Sequence, residues 1–386
     1  MIPDATAEMV CDAPALRALC AELHQQPWIA VDTEFLREDT YRARLALIQV
    51  GTPTRIACVD PLALDDLQPF FEVLANPEVV KVFHSASQDL EIFHQIAGRI
   101  PAPIFDTQIA APLLGHGDQI GFARLVEEVV GVELDKSQSR TNWLERPLPQ
   151  AAIEYAGNDV RYLVPLYLHM HGELERRGRL DWLAPEMEAL TRPERYERAA
   201  EDAWRRLRGI DRLPAIGRAI ARDVAAWREQ TARERDIPRG RVLRDEIIID
   251  VAKTRPANQR QLERIRGLKG PALERHGRRL LELVASARAE DAPALDNGNR
   301  EAPLDAAGEA LVDALSALVR LRCASEDLNP QTVAGRKDLT RIVAGRPVEE
   351  VLGGWRAALL GEDINDLLTG RRVLAVGDRG LELRAE

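Results

Sequence analysis

The first half of the chain alternates short apolar runs with amphipathic stretches. Residues 28–35 (WIAVDTEF), 43–50 (ARLALIQV), 55–59 (RIACV) and 79–83 (VVKVF) have strand length and β-prone content, and 104–105 makes a shorter strand. Helices are predicted over 12–24, with Asp12 as N-cap and Pro14 in the first turn, and over 67–74, stopped by Asn76-Pro77. Further helices are predicted over 87–97 and 107–114, and Pro149 opens a long one. This βαβα rhythm predicts an α/β layer fold, and the short early connections predict a mixed sheet that begins as an antiparallel meander. After about residue 195 strand signals vanish. Helical patterns fill 195–288 and 304–368, separated by the Pro/Gly/Asn/Asp-rich segment 291–303 (DAPALDNGNREAP). The expected layout is an α/β domain over 1–192, a helical domain over 197–290, a linker over 291–303, a second helical domain over 304–370 and a tail over 371–386. The tail reads either as a short strand or as loose chain. The helical blocks share a faint repeat: Ile237-Pro238, Val242, Asp245 and Ile248 resemble Leu328-Asn329-Pro330, Val333, Asp338 and Ile342.

Composition is that of a soluble protein, 45% hydrophobic and 30% charged, with no apolar run long enough to span a bilayer. The N-terminal residues lack a basic region followed by an apolar stretch, so no secretory signal is visible. Cys11, Cys20, Cys58 and Cys323 are scattered, with no C-x-x-C pair, which argues against a zinc knuckle or a disulfide framework. The expectation is a cytoplasmic monomer without an organic cofactor or membrane partner. The net charge of −10 divides unevenly: −13 over 1–200, +8 over 201–290 and −5 over 291–386. The basic segment is either a phosphate-attracting surface or a solvated Arg-rich helical face.

Three segments carry candidate chemistry. Asp32 and Glu34 lie two apart on a predicted strand, so both carboxylates leave one face. Two such groups in an apolar strand repel each other and resist desolvation, and a shared divalent cation relieves both problems. Asp89 falls in the first turns of a helix that follows a strand end in Phe83–Leu90 (FHSASQDL), where open α/β sheets place ligands. Tyr155 and Asp159 stack on one helix face at i, i+4. Each segment has a plainer reading: a solvated edge strand, a dipole-complementing Asp, a core Tyr.

Taken together, D-x-E, D and Y-x-x-x-D resemble the DEDD exonuclease superfamily, tyrosine subgroup. The words AVDTEF, HSASQDL and EYAGNDVRYL are similar to its three motifs, and FDTQIA and LDKSQSRTNWLERPL resemble the bacterial ribonuclease D family. The resemblance implies a ribonuclease H-like mixed sheet flanked by helices, followed by two all-α HRDC-type domains. It implies two divalent ions, Mg²⁺ or Mn²⁺, with Asp32 bridging both, Glu34 and Asp159 completing one site, Asp89 holding the other, and Tyr155 orienting the attacking water. It implies 3′→5′ trimming of single-stranded RNA 3′ ends to nucleoside 5′-monophosphates, with tRNA precursors and other small RNAs as substrates. The alternatives are a DNA exonuclease of the same superfamily and a non-catalytic RNA-binding scaffold.

The remaining candidates are open in both directions. Lys136, Arg140 and Trp143 share a loop suited to stacking on unpaired bases, or Trp143 merely pins that loop. Phe35 would pack on the terminal base or in the core, and His84 is a ligand or a structural histidine. Asp106 is a rival carboxylate, read as a helix cap or as a support for the metal ligands. Over 202–288, RERDIPRGRVLRDEIIIDVAKTRP and LERIRGLKG resemble an HRDC domain. Within it, Arg264, Arg266 and Lys269 surround two glycines in a turn that either meets phosphates or only joins packed helices. The acidic block 304–370 resembles a more divergent HRDC domain, with an architectural or protein-contacting role.

Overall fold

A computed structural model describes residues 2–135, 141–197, 199–294, 303–378 and 380–385. The strands are β1 (Glu8–Val10), β2 (Trp28–Leu36), β3 (Arg44–Gly51), β4 (Ile56–Val59), β5 (Val80–Phe83), β6 (Ile104–Asp106), β7 (Arg372–Gly377) and β8 (Gly380–Ala385). In the first half the helices are α1 (Ala13–Leu23), α2 (Gln68–Ala75), α3 (Ser87–Ala97), α4 (Thr107–Ala110), α5 (Phe122–Val130), α6 (Gln150–Arg176) and α7 (Leu180–Leu190). The first helical block holds α8 (Ala215–Glu234), α9 (Arg239–Val242), α10 (Asp245–Thr254), α11 (Gln259–Leu262) and α12 (Pro271–Ser286). The second holds α13 (Ala306–Glu326), α14 (Pro330–Val333), α15 (Arg336–Val343), α16 (Val348–Leu352) and α17 (Gly354–Leu368).

Strands β1 to β6 form one mixed sheet in the order β1-β4-β3-β2-β5-β6. β1 runs parallel to β4, β3 antiparallel to β4, and β5 parallel to both β2 and β6. β1 escapes the hydrophobic pattern because three residues are too few to show a period. The expected helix over 107–114 is α4 followed by a 3₁₀ turn over Ala111–Leu114 that contains Pro112. Proline has no N–H to continue the α-helical ladder. α5 is an additional helix, and the tail forms the antiparallel hairpin β7–β8, so strand structure does return after residue 195.

Two close approaches set the depth of α6 on the sheet. A Cβ on Gly157 would lie 2.6 Å from Ala7 Cβ, and one on Gly51 would lie 3.0 Å from Val160 Cβ. A side chain on either glycine would therefore push α6 away from the segments it packs on. On β5, Lys81 is fully buried, and its ammonium donates to the carbonyls of Asn76 (2.9 Å), Val79 (2.7 Å) and Ala102 (2.5 Å). Burial pulls its pKa down to about 7, while the three acceptors satisfy all three N–H groups. The loop ahead of α6 is anchored by Arg146, which grips the buried Asp60 with Nε (2.6 Å) and Nη2 (2.8 Å). The same guanidinium donates to Ala46 O (2.7 Å) and Trp143 O (2.8 Å).

The chain divides into two compact units: Met1–Glu34, Ala46–Arg192 and Arg300–Glu386 in one, Phe35–Leu45 and Pro193–Asn299 in the other. In the first unit, α13 to α17 dock on the α/β layer. Trp182 and Trp355 stack at 4.7 Å with planes 3° apart, and Arg356 pairs with Glu186 at 2.8 Å. The buried Arg179 donates to Leu113 O (2.9 Å) and Glu326 O (2.7 Å), and Asn329 N donates to Pro112 O (3.1 Å). In the second unit, Trp204, Ile220, Val224, Ile248, Leu262 and Leu280 belong to one core. There Tyr41 donates to the buried Glu229 at 2.5 Å and accepts from Arg233 at 2.9 Å.

The faint sequence repeat has a structural counterpart. α8 and α13 both end in a left-handed aspartate, Asp236 (φ 47°) and Asp327 (φ 53°). The next residue then closes the helix by a bond five residues back, Ile237 N to Ala232 O at 3.1 Å and Leu328 N to Cys323 O at 2.9 Å. A proline and a single-turn helix follow in each block.

Lys81→Met keeps the volume but removes the donor to the Asn76, Val79 and Ala102 carbonyls, the Val79 bond being buried. A loss of about 2–4 kcal/mol in urea denaturation is expected, and a loss under about 1 kcal/mol would show that the ammonium is dispensable. For Asp60, burial raises the pKa but the Arg146 hydrogen bonds outweigh it, so the folded value lies below the unfolded one. The pair's contribution is therefore present above about pH 4 and lost as pH falls through the folded value. Arg146→Met should cost about 2–4 kcal/mol at pH 7, and the gap to wild type should narrow toward about pH 3. A gap independent of pH would rule out the ion pair as its source.

Candidate active site

Three elements of the α/β layer supply the carboxylates and the tyrosine. β2 supplies Asp32 and Glu34. Its first four residues, Trp28 to Val31, are buried, and from Asp32 the strand alternates half-buried and buried, with Thr33 inward. Both carboxylates therefore leave the more open face, as the two-residue period requires. α3 supplies Asp89, 6% exposed, whose Oδ1 accepts from Thr33 Oγ1 at 2.5 Å. α6 supplies Tyr155 and Asp159, one turn apart and both half-buried. A cavity of about 200 Å³ is lined by Asp32, His84, Phe122, Asp159 and Leu163.

The carboxylates are coupled by charge. Burial raises Asp32 well above the usual carboxylate range, and Asp159, Asp89 and Glu34 raise it further. Burial, then Asp159 and Asp89, push Glu34 up to about 8. Asp89 rises to about 7 through burial, against the opposing Thr33 hydrogen bond, and burial lifts Asp159 to about 7. Tyr155 is pushed up to about 12 by burial and then by Asp159, Glu34 and Asp32. Its phenol therefore stays protonated at neutral pH. Among the described residues, no three His, Cys, Asp or Glu side chains converge on a point as a ready-made metal cage. The donor chemistry nevertheless fits hard divalent cations. The cluster is all oxygen, carries up to four negative charges and resists ionisation until a positive charge arrives.

His84 lies between Thr107 Oγ1 (Nδ1, 2.9 Å) and the Ile120 carbonyl (Nε2, 3.1 Å), so both ring nitrogens are engaged within the protein. Its ring meets Phe122 edge-on at 5.4 Å. Trp143 is only 4% exposed, with its ring 6.3 Å from that of Tyr155. This corresponds to the loop-pinning reading, and the indole packs beside Tyr155 with little surface for an unpaired base. Lys136 and Arg140 lie outside the described residues. Phe35 is half-buried and directly follows Glu34, while Arg266 and Lys269 are exposed in the turn before α12. Phe122 and Leu163 are lining residues that sequence reasoning missed. Leu163 was accessible to it, four residues beyond Asp159 on the same helix face. Phe122 carries no comparable local signal.

A 3′-5′ exonuclease family model matches residues 7–175, and an HRDC domain model matches 218–284. The chain is 39% identical to ribonuclease D of Sphingobium indicum, covering 97% of this chain and 98% of that protein. It is 41% identical to ribonuclease D of Acidiphilium cryptum, covering 96% and 95%. The crystal structure of Escherichia coli RNase D, an exoribonuclease involved in structured RNA processing, superposes with a TM-score of 0.78 at 33% identity, over 94% of this chain and 98% of that one. On these grounds the chain belongs to the ribonuclease D family of 3′-5′ exoribonucleases.

Proposed function

We infer that the protein trims single-stranded RNA 3′ ends by metal-dependent hydrolysis, releasing nucleoside 5′-monophosphates, with tRNA precursors among its substrates. The observation that carries this reading is the clustering of Asp32, Glu34, Asp89 and Asp159, with Asp32 and Asp159 lining one small cavity and the charges of the others raising Asp32 and Glu34, beside the protonated phenol of Tyr155. Asp32 would be shared by two divalent cations, Mg²⁺ or Mn²⁺, with Glu34 and Asp159 on one and Asp89 on the other. Bound there, the cations would lower the pKa of water and neutralise the scissile phosphate and the leaving 3′ oxygen.

The chain's own groups supply position. Tyr155, still protonated at neutral pH, can hydrogen-bond a water and aim it along the in-line path. Trp143 packs beside the Tyr155 ring and restricts its motion. Phe122 and Leu163 form apolar wall beside the carboxylates, which limits bulk water around the reacting phosphate. The basic character of 201–290, with Arg266 and Lys269 exposed, supports its reading as the phosphate-attracting surface for the rest of the RNA. All four cysteines are free, which supports a reducing, cytoplasmic setting, and among the described residues no helix is long and apolar enough to cross a membrane.

With 5′-labelled RNA, the wild-type protein should give a ladder shortening from the 3′ end only when Mg²⁺ or Mn²⁺ is present. Asp32→Asn and Asp159→Asn should each lower the rate by at least about 1,000-fold while leaving the circular dichroism spectrum unchanged. Tyr155→Phe should fall by about 10–100-fold, because it removes water orientation alone. Internal cleavage, or near-wild-type turnover by Asp32→Asn, would refute the assignment.

A further inference from the structure

Asp89 is carried by α3, a helix that lacks a side-chain cap of its own. α3 begins after Ala86, which makes no capping bond. Just before it the chain turns through Ser85 at φ 64°, a left-handed conformation that is uncommon for a residue with a side chain. Something outside the segment must hold that turn.

The holder is Asp106, at the end of the neighbouring strand β6. It pairs in register with Phe83, the last residue of β5, and is 2% exposed. Its Oδ1 accepts from Ser85 N at 3.0 Å and from Gln108 N at 2.8 Å, and its Oδ2 accepts from Ala86 N at 2.8 Å. One carboxylate thus gathers three backbone N–H groups, two from the turn into α3 and one from the start of α4. Its own N–H faces Met187 Sδ at 3.2 Å, which fixes the strand end from behind. Three residues beyond Ala86, Asp89 reaches Thr33 Oγ1 at 2.5 Å. The backbone under Asp89 is therefore set by Asp106, and its carboxylate is set by Thr33.

We propose that Asp106 is a positioning residue for the exonuclease reaction: by clamping the Ser85–Ala86 turn it holds Asp89 where a metal-binding carboxylate is needed. This rests on the reading of Asp89 given above. A plain helix cap for α4 would need only the Gln108 contact, and the two bonds to the α3 turn have no part in that role. The clamp requires two acceptor oxygens. An asparagine offers one, and turns an NH₂ donor toward an N–H on the other side.

The test compares full-length wild type with Asp106→Asn and Asp106→Glu, at a temperature where circular dichroism reports each as folded. Mn²⁺ binding is measured by calorimetry, and single-turnover shortening of 5′-labelled RNA by gel. Asp106→Asn should weaken Mn²⁺ binding and slow the single-turnover step by about 10–100-fold each, with RNA affinity within about twofold of wild type. Asp106→Glu, which keeps both oxygens, should recover part of each loss and keeps the test decisive if the Asn variant does not fold. Wild-type Mn²⁺ affinity and rate in folded Asp106→Asn, with only the melting temperature lowered, would make Asp106 a structural cap and overturn the proposal. The same holds for a Glu variant no better than Asn. A wild-type chain that binds Mn²⁺ but shortens no RNA would defeat the exoribonuclease reading instead, and the Mn²⁺ comparison would still decide the role of Asp106.

Discussion

Four clustered carboxylates whose ionisation burial opposes are the constraint around which this domain is built. Left to themselves, Asp32, Glu34, Asp89 and Asp159 would move apart or take up protons, because burial opposes the ionisation of all four and neighbouring carboxylates add to it at Asp32, Glu34 and Asp89. The fold denies them the first escape by mounting them on three rigid supports, with Asp32 and Glu34 together on β2, Asp89 on α3 and Asp159 on α6. β2 is fixed between β3 and β5, α3 is clamped at its start by Asp106, and α6 is seated on the sheet through Gly157 and Gly51. Such a cluster is costly to the bare protein and valuable to one that binds cations, since the same field that resists deprotonation attracts the metal.

The surrounding structure follows from keeping those supports still. Arg146 ties the loop bearing Trp143 to Asp60 and to the β3 backbone, which brings the indole beside Tyr155. The second helical block packs in the same compact unit as the α/β layer through the Trp182–Trp355 stack and the buried Arg179. This block was expected as a separate acidic domain after a linker. Its acidic charge does not prevent docking, because the contacts are made by aromatic rings, backbone carbonyls and a few arginines rather than by net attraction.

What could be read in the sequence were the features with a local period. The Asp32/Glu34 pair follows from strand alternation and the Tyr155/Asp159 pair from helix spacing, and the faint repeat of the helical blocks is visible in Asp236 and Asp327. Features that depend on distant partners were not legible. β1 is three residues long and exists because β4 pairs with it. Phe122 reaches the cavity only through the packing of α5 against His84. Asp106 had two readings in the sequence, a helix cap or a support for the metal ligands, and its bonds to the α3 turn cross 20 residues of chain. The loop tryptophan had two equally good local readings, and its burial is set by partners outside the loop.

The fold holds the carboxylates together against burial and repulsion, and divalent cations would relieve that cost. Melting temperatures of wild type and Asp32→Asn, each in EDTA and in Mn²⁺, test this most directly. In EDTA the variant, which need not take up a proton at position 32 on folding at neutral pH, should melt higher than wild type. In Mn²⁺ the order should reverse, because only the wild-type cluster gains binding energy from the ion. A variant that melts lower than wild type in EDTA, or a wild-type protein whose melting is indifferent to Mn²⁺, would contradict the account.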